Sequence, residues 1–290
     1  MKVNIDLDMV AHELGHLRRD TGETDEDGDP ILELFDVSEV APIAKGRVLS
    51  IVMGSQAGGW RGFLTKGRHY RHKLATILPY KGHRDEAPRN NVDKLKDIFH
   101  KDLDAVWCTD READDALATE QWVDLVNVGS ELGWQDSILR DYTNTVIATR
   151  DKDLDTVPGW HFKWWLKGAK DANGEVIPEE KRIVEKGEAY WVPIREAFRN
   201  FYRQLLVGDK SDNIKGLYNI GPTKEAYKQL ADIDDEEDMY THVEKWYHKY
   251  YGPNYGDKFL KENGRLLHMQ RREGDVWLPP HERDEHYWYL

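Results

Sequence analysis

Apolar residues along the chain fall into short runs that alternate with longer amphipathic stretches. "KVNID" opens the chain as a short buried strand, and "MVAHELGHLRR" continues at helical spacing. "GRVLSIVMG" (46–54) predicts a second apolar strand, ended by glycine. "NVDKLKDIFHKDL" (91–103) spaces Val92, Leu95 and Ile98 three apart, as an amphipathic helix does. "DDALATEQWVDLVNVGSELG" predicts another helix with a glycine stop, and "NTVIATRD" (144–151) a third strand running straight into acid. Strands alternating with helices imply an α/β fold around a mostly parallel sheet.

After Pro158 the texture changes. "WHFKWWLKGAKDANGEVIP" predicts a β-hairpin or extension turning at Asn173-Gly174. "PIREAFRNFYRQLLVG" is helical, and 231–265 is mostly helical and rich in Tyr. The tail "GDVWLPPHERDEHYWYL" is acidic and aromatic and suggests no role. These changes divide the chain into an α/β domain (1–160), an extension (161–190), a helical lobe (191–265) and a C-terminal tail (266–290).

A chain of 290 residues can bury a substantial core. No apolar run approaches the roughly 18 residues of a membrane helix, so no membrane partner is expected. Asp6, Asp8 and Glu13 make a signal peptide an unsuitable reading of the N-terminus. The single cysteine, Cys108, allows no internal disulfide and suits a reducing cytoplasm. A net charge of −13 argues against a nucleic-acid partner on average. The segment Ser55 to Arg84 is the exception, with Arg61, Lys66, Arg68, Arg71, Lys73, Lys81 and Arg84 and no acid at all. One sign of charge in an acidic chain suggests an anionic ligand.

Acids gather at three comparable places. Asp6 and Asp8 lie at the end of the first strand, and Asp151, Asp153 and Asp155 follow "TVIAT". Glu112, Asp114 and Asp115 open the helix of "READDALA", and "GDKSDN" adds Asp209 and Asp212. Open α/β sheets bind ligands outside the carboxyl ends of their strands, so the first two groups should share one crevice. So many carboxylates repel one another unless cations neutralise them, and hard Mg²⁺ or Mn²⁺ is the natural counter-charge.

Two further stretches carry candidate chemistry. His12-Glu13-Leu14-Gly15-His16 spells the H-E-x-x-H of a zinc protease. Too few residues precede it to build a substrate-binding sheet, and "LRRDTGETD" supplies no third histidine. The spelling is therefore read as accidental. In "GDKSDNIKGLYNIGPTKEA" (208–226), Ile214, Leu217 and Ile220 can anchor two short helices around a turn allowed by Gly216 and Gly221. Pro222 then falls in the first turn of the second helix. Backbone amides at such a helix start grip phosphate without reading bases.

The ordered set "NIDLD", "YKGHRDE", "READDALA", "ATRDKDLD" and "GDKSDNIKGLYNIGPTKEA" resembles the 5′→3′ exonuclease/flap endonuclease family, and its bacteriophage members most, over about residues 3–230. The resemblance implies a PIN-like α/β domain with a smaller lobe carrying a helix-three-turn-helix DNA-binding element. By motif match it implies that Asp6, Glu112, Asp114 and Asp115 serve a first metal ion. Asp151, Asp153, Asp209 and Asp212 would serve a second, the ions being Mg²⁺ or Mn²⁺. Lys81 and Arg84 match the basic pair that meets the scissile and neighbouring phosphates, and Arg71 resembles the DNA-contacting arginine upstream. The turn with Gly216, Ile220, Gly221, Thr223 and Lys224 matches the family's backbone grip, which often holds K⁺. The implied partner is DNA, as duplex 5′ ends, flaps or RNA–DNA hybrids, met by a monomer in the cytoplasm (the host's, if phage-encoded).

The chain departs from that pattern in places. The family's aspartate after the second strand is missing where the chain reads "VMGSQAGG", with Ser55 and Gln56. Thr149-Arg150 replaces the usual residues before Asp151. Asp115 follows Arg84 by only 31 positions, which leaves a short arch and favours exonuclease action at duplex ends. A non-catalytic DNA-binding relative is the alternative that a missing ligand would fit.

Overall fold

The computed structural model describes residues 1–83, 90–170 and 174–284. Arg84 and Asn173 lie outside the described residues. The strands are β1 (Lys2–Asp6), β2 (Arg18–Thr24), β3 (Pro30–Leu34), β4 (Gly59–His69), β5 (Val106–Asp110), β6 (Thr145–Ala148), β7 (Gly159–Trp164), β8 (Gly187–Val192), β9 (Gly208–Asp209) and β10 (Ile214–Lys215). The helices are α1 (Leu7–Gly15), α2 (Val37–Gly54), α3 (Arg71–Leu74), α4 (Val92–Leu103), α5 (Ala113–Leu132), α6 (Asp136–Tyr142), α7 (Glu179–Glu185), α8 (Ile194–Val207), α9 (Glu225–Gln229), α10 (Glu236–Tyr251) and α11 (Pro253–Leu267).

Six strands form one sheet in the order β5-β4-β1-β6-β7-β8. All pairs are parallel except the last, in which β8 runs antiparallel to β7. Alternation along β1 sends Val3 and Ile5 to one face, where they meet α1, α2 and α4 through Val10, Val48, Leu95 and Phe99. The opposite face packs Phe63 and Ile147 against α5 and α6 through Leu117, Leu125 and Leu139. A separate core, built on Tyr202, Leu205, Tyr247, Phe259 and Trp277, holds α8, α10 and α11 together. Among the described residues no helix is long and apolar enough to cross a membrane.

Several sequence expectations need correction. "GRVLSIVMG" is the second half of α2, not a strand. Val40, Ala44, Val48 and Ile51 are buried at intervals of four and three, while Leu49 and Met53 face solvent. A capping box of Asp36 and Glu39 starts this helix well upstream of the apolar run. The neighbour of β1 is instead β4, whose buried stretch covers only Gly62 to Leu64 between charged ends. The polar segment 18–34 is a two-stranded hairpin, β2 with β3. Near 160–180 the main antiparallel pairing joins β7 to β8, and the nearer turn is closed by one bridge, Lys170 to Val176. Ile214 belongs to β10 rather than to a helix, and α9 begins at Glu225, three residues beyond Pro222.

The zinc spelling also resolves in three dimensions. Helix α1 ends at Gly15, so His16 lies beyond it. Glu13 points inward, accepting from Trp164 Nε1 at 2.8 Å and pairing with Arg47 at 3.0 Å, while His12 and His16 are exposed.

Candidate active site at the carboxyl edge of the sheet

Asp6 ends β1 and caps α1, its carboxylate accepting from Met9 N at 3.0 Å. From the next strand, Thr149 Oγ1 donates to Asp6 at 2.9 Å and itself accepts from Asp151 N at 3.0 Å. Asp151 in turn caps the short turn Lys152–Thr156 by accepting from Asp153 N. Adjacent parallel strands thus deliver Asp6, Asp151 and Asp153 to the same edge. Glu112 caps α5, and Thr65 of β4 accepts from Ala113 N at 2.9 Å, fixing where that helix starts. Asp8 leaves this group: it accepts from Thr65 N and pairs with Lys96 at 2.8 Å.

Two tight turns complete the cleft. Lys81 has φ +54°, a left-handed conformation that costs a β-carbon residue roughly 1–2 kcal/mol. Its N–H donates to Asp212 O at 2.9 Å, and Asn213 Nδ2 donates to Pro79 O at 2.9 Å, so the turns 79–82 and 209–213 clasp each other. The ammonium of Lys81 then rests on Glu112 and stands 3.5 Å from Asp212. Tyr80 donates its hydroxyl to Glu112 and contacts Asp212. Glu112, Asp114, Asp151, Asp153, Asp209 and Asp212 therefore line one cleft with Tyr80, Lys81 and Arg71.

The electrostatics divide these acids. Burial alone would raise the carboxyl of Glu112, but Arg71, Lys81 and His69 hold it well below the usual range. Burial and then the charge of Asp8 push Asp6 up to about 7. Burial, a hydrogen bond with Asp209 and the charges of Asp151 and Asp209 push Asp153 up to about 8. Asp114 is raised well above its ordinary value by burial and by the charges of Asp6, Asp151 and Glu112. Burial also raises Asp151 and Asp212. Asp209 goes the other way: burial opposes it, but hydrogen bonds from Asp153 and Ser211 lower it. Buried, mutually repelling oxygen donors of this kind fit a hard divalent cation, which would relieve the repulsion.

Two predicted site residues sit differently from expectation. Arg71 is 1% exposed, and its guanidinium is committed to Glu112, Asp115 and the carbonyl oxygens of Leu266 and His268 rather than to an open phosphate-binding face. Asp115 is completely buried behind the cleft. Lys66, Arg68 and Lys73 of the basic segment are exposed, whereas Arg61 pairs with Glu120. Ser55 and Gln56 follow α2 and lead into β4 beside the start of β1, at the opposite end of that strand from Asp6. The strand beside β1, β4, runs on through Thr65, Lys66, Gly67 and Arg68 to His69, with no carboxylate.

In the turn beyond β10, Gly216 is required by packing, since a β-carbon there would lie 2.2 Å from the Val207 carbonyl carbon. Gly221 has no neighbour within 4 Å of that position and no positive φ. Ile220 is half-buried, Thr223 and Lys224 are exposed, and Tyr218 stands out at 84% exposure. Away from the cleft, Glu244, His248 and Asp257 also bring ligand-type atoms within 4.8 Å of one another on α10 and α11.

The path of the chain decides the fold. It is similar to that of the bacteriophage T5 D15 protein. A D15 structure co-crystallised with metal ions matches at TM-score 0.53 and 15% identity, covering 92% of this chain and 88% of that one. The T5 D15 flap endonuclease in complex with DNA and metal ions is also similar, at TM-score 0.43 and 16% identity over 92% and 98% of the two chains. Human GEN1 in complex with Holliday junction DNA matches at TM-score 0.42 and 10% identity over 90% of this chain and 56% of that one. No family model matches the chain, and no curated protein matches it. The D15-like, PIN-like arrangement brings together acids separated by up to two hundred residues. Sequence reasoning missed the supporting residues Tyr80, His69 and Thr149, although Tyr80 stands inside "YKGHR".

Proposed function

We propose that the chain is a divalent-metal-dependent nuclease that hydrolyses phosphodiester bonds from the 5′ ends of duplex DNA, leaving 5′-phosphates. One observation carries this reading: a cleft of six carboxylates whose mouth holds a lysine forced into a left-handed turn. Asp6, Glu112 and Asp114 would hold one Mg²⁺ or Mn²⁺ ion, and Asp151, Asp153, Asp209 and Asp212 another. When bound, such ions supply an activated water and neutralise charge on the leaving oxygen. Lys81 is placed to exchange Glu112 and Asp212 for a phosphate oxygen, stabilising the charge that develops on it. Tyr80 keeps Glu112 and Asp212 in fixed relation through its hydroxyl. Arg84 as the partner of Lys81 rests on the motif resemblance.

The turn 216–224, where Gly221 has no packing reason to be glycine, would receive the duplex backbone and K⁺. The preference for 5′ ends, and any action on flaps or RNA–DNA hybrids, rests on the same resemblance. The metal ions and DNA in the D15 complexes are in keeping with it.

Incubation of 5′-labelled and 3′-labelled duplexes, with and without a 5′ flap, in Mg²⁺, Mn²⁺ or EDTA tests the proposal. Metal-dependent release of label from the 5′ end is expected, and DNA left intact under every condition would refute it. Lys81→Ala should slow turnover by about 10²–10³-fold without changing the fold; an unaltered rate would remove Lys81 from the chemistry.

A further inference from the structure

Asp115 matches an acid expected to hold metal, yet its carboxylate is already full. Arg71 donates to its two oxygens at 2.7 and 2.8 Å, Glu112 N and Gln270 N each at 3.1 Å, and Tyr70 OH at 3.3 Å. Two oxygens offer about four lone-pair sites, so five donors leave none for a cation. Glu112 and Asp114 face the cleft, and Asp115 does not.

The donors come from distant parts of the chain. Arg71 also donates to Leu266 O at 2.9 Å, in the last turn of α11, and to His268 O at 2.7 Å, immediately beyond it. Thr119, one turn along α5, has its hydroxyl 2.7 Å from Asp115 O and 3.1 Å from Gln270 O, sharing one proton between the helix and the segment beyond α11. The segment is itself closed by His268 against Asp275 at 2.8 Å, and Asp275 also accepts from Arg271 N.

We propose that Asp115 is a positioning residue rather than a metal ligand, the inner anchor of a clamp in which Arg71 and residues 266–275 hold Glu112 and Asp114 toward the cleft. The inference rests on the nuclease reading and assigns a task to a tail whose sequence suggested none. Arg71 suits it because a planar fork can serve two carboxylates and two carbonyls at once, whereas an ammonium cannot. As a phosphate contact it would have to abandon four buried partners.

The test counts ions as well as turnover. Mn²⁺ is titrated calorimetrically into the full-length wild type, Asp114→Asn and Asp115→Asn. Asp115→Asn should bind as many ions as wild type, whereas Asp114→Asn should bind fewer; loss of an ion from Asp115→Asn as well would overturn the assignment. Arg71→Lys should lower the single-turnover rate about 10–100-fold with metal-free DNA affinity unchanged. Weakened DNA binding at an unchanged rate would make Arg71 a DNA contact instead. If Arg71→Lys does not fold, Thr119→Val, which removes the hydroxyl lying between Asp115 O and Gln270 O, should slow cleavage at a full ion count; an unchanged rate would overturn the clamp. A wild type that binds Mn²⁺ but cleaves no DNA sinks the nuclease reading while the ion count still decides Asp115. A wild type that binds no Mn²⁺ overturns both.

Discussion

Two groups of carboxylates meet at the head of the sheet and are treated in opposite ways. Glu112 and Asp115 are buried against the chain's own cations and donors, and Glu112 is held ionised by Arg71, Lys81 and His69. Asp6, Asp114, Asp151 and Asp153 are buried mainly against one another, and each is driven toward its protonated form. The difference grades the acids. Asp115, its counter-charge and donors all supplied by the chain, holds structure in place; Glu112 is compensated too but faces the cleft; where the chain withholds the counter-charge, an external cation has most to gain by binding. Proteins tolerate such unrelieved repulsion at functional sites, at a cost in stability.

Asp153→Asn tests the uncompensated half and should have the largest effect. Cleavage should fall by at least about 10³-fold with DNA binding largely kept, because a metal-holding charge is gone while the basic surface is intact. In metal-free buffer the variant should nevertheless be more stable to urea than wild type, since the folded chain no longer has to keep that carboxyl protonated, or charged beside Asp151 and Asp209. Full activity, or a variant less stable without metal, would break the distinction drawn above.

Arg71→Leu tests the compensated half. It strands Glu112 and Asp115 without their shared cation, and breaking a buried pair from one side costs about 3–5 kcal/mol. Urea midpoints should show the loss with or without Mg²⁺. A loss under about 1 kcal/mol would mean that water reaches these carboxylates.

The pH profile compares both halves in one protein. Asp6, pushed up to about 7, and Asp153, pushed up to about 8, keep protons in the folded state that the unfolded chain releases near 3.8. Their contribution favours folding below that range and is lost as pH rises through 7 and 8. Glu112 has the opposite sign: its stabilisation is present at neutral pH and lost only in acid. Metal-free protein should therefore lose stability from pH 5 upward, on the order of 1 kcal/mol per unit for each carboxyl, until about 7 for Asp6 and about 8 for Asp153. Saturating Mg²⁺ should flatten the slope, and a flat profile in EDTA would show that the repulsion is already relieved.

The acids left without a counter-charge of their own were written in the sequence. Asp6, Asp151 and Asp153 follow apolar strands, and short-range pattern places them at strand ends. Glu112, Asp115, Arg71 and Lys81 were named as well, but their pairing with one another was not legible, because the contacts of Arg71 with Leu266 and His268 join positions nearly two hundred apart that carry no shared pattern. Residues 46–54 misled for a local reason. A short apolar run does not distinguish a strand from a helix, and the deciding Asp36–Glu39 cap lies well before it. β4 hid for the converse reason, its buried centre flanked by Arg61 and Lys66.

Asp8→Asn is the smallest expected effect and the finest cut between the groups. Asp8 sits two residues from Asp6, and the sequence placed both at the strand end. The fold instead turns Asp8 to Lys96 and Thr65 N on the other side of α1's first turn. Loss of its charge should cost about 1 kcal/mol, because the partly exposed pair is weakened and Thr65 N keeps a neutral acceptor. Cleavage should stay within a factor of about three of wild type, since 1.4 kcal/mol would be needed for a tenfold change. The charge of Asp8 is the second cause of the raised Asp6 carboxyl, so removing it should also lower that group's titration in metal-free protein. A rate as depressed as that of Asp153→Asn would place Asp8 among the metal-holding acids, and the line between compensated and uncompensated carboxylates would have to be redrawn through α1.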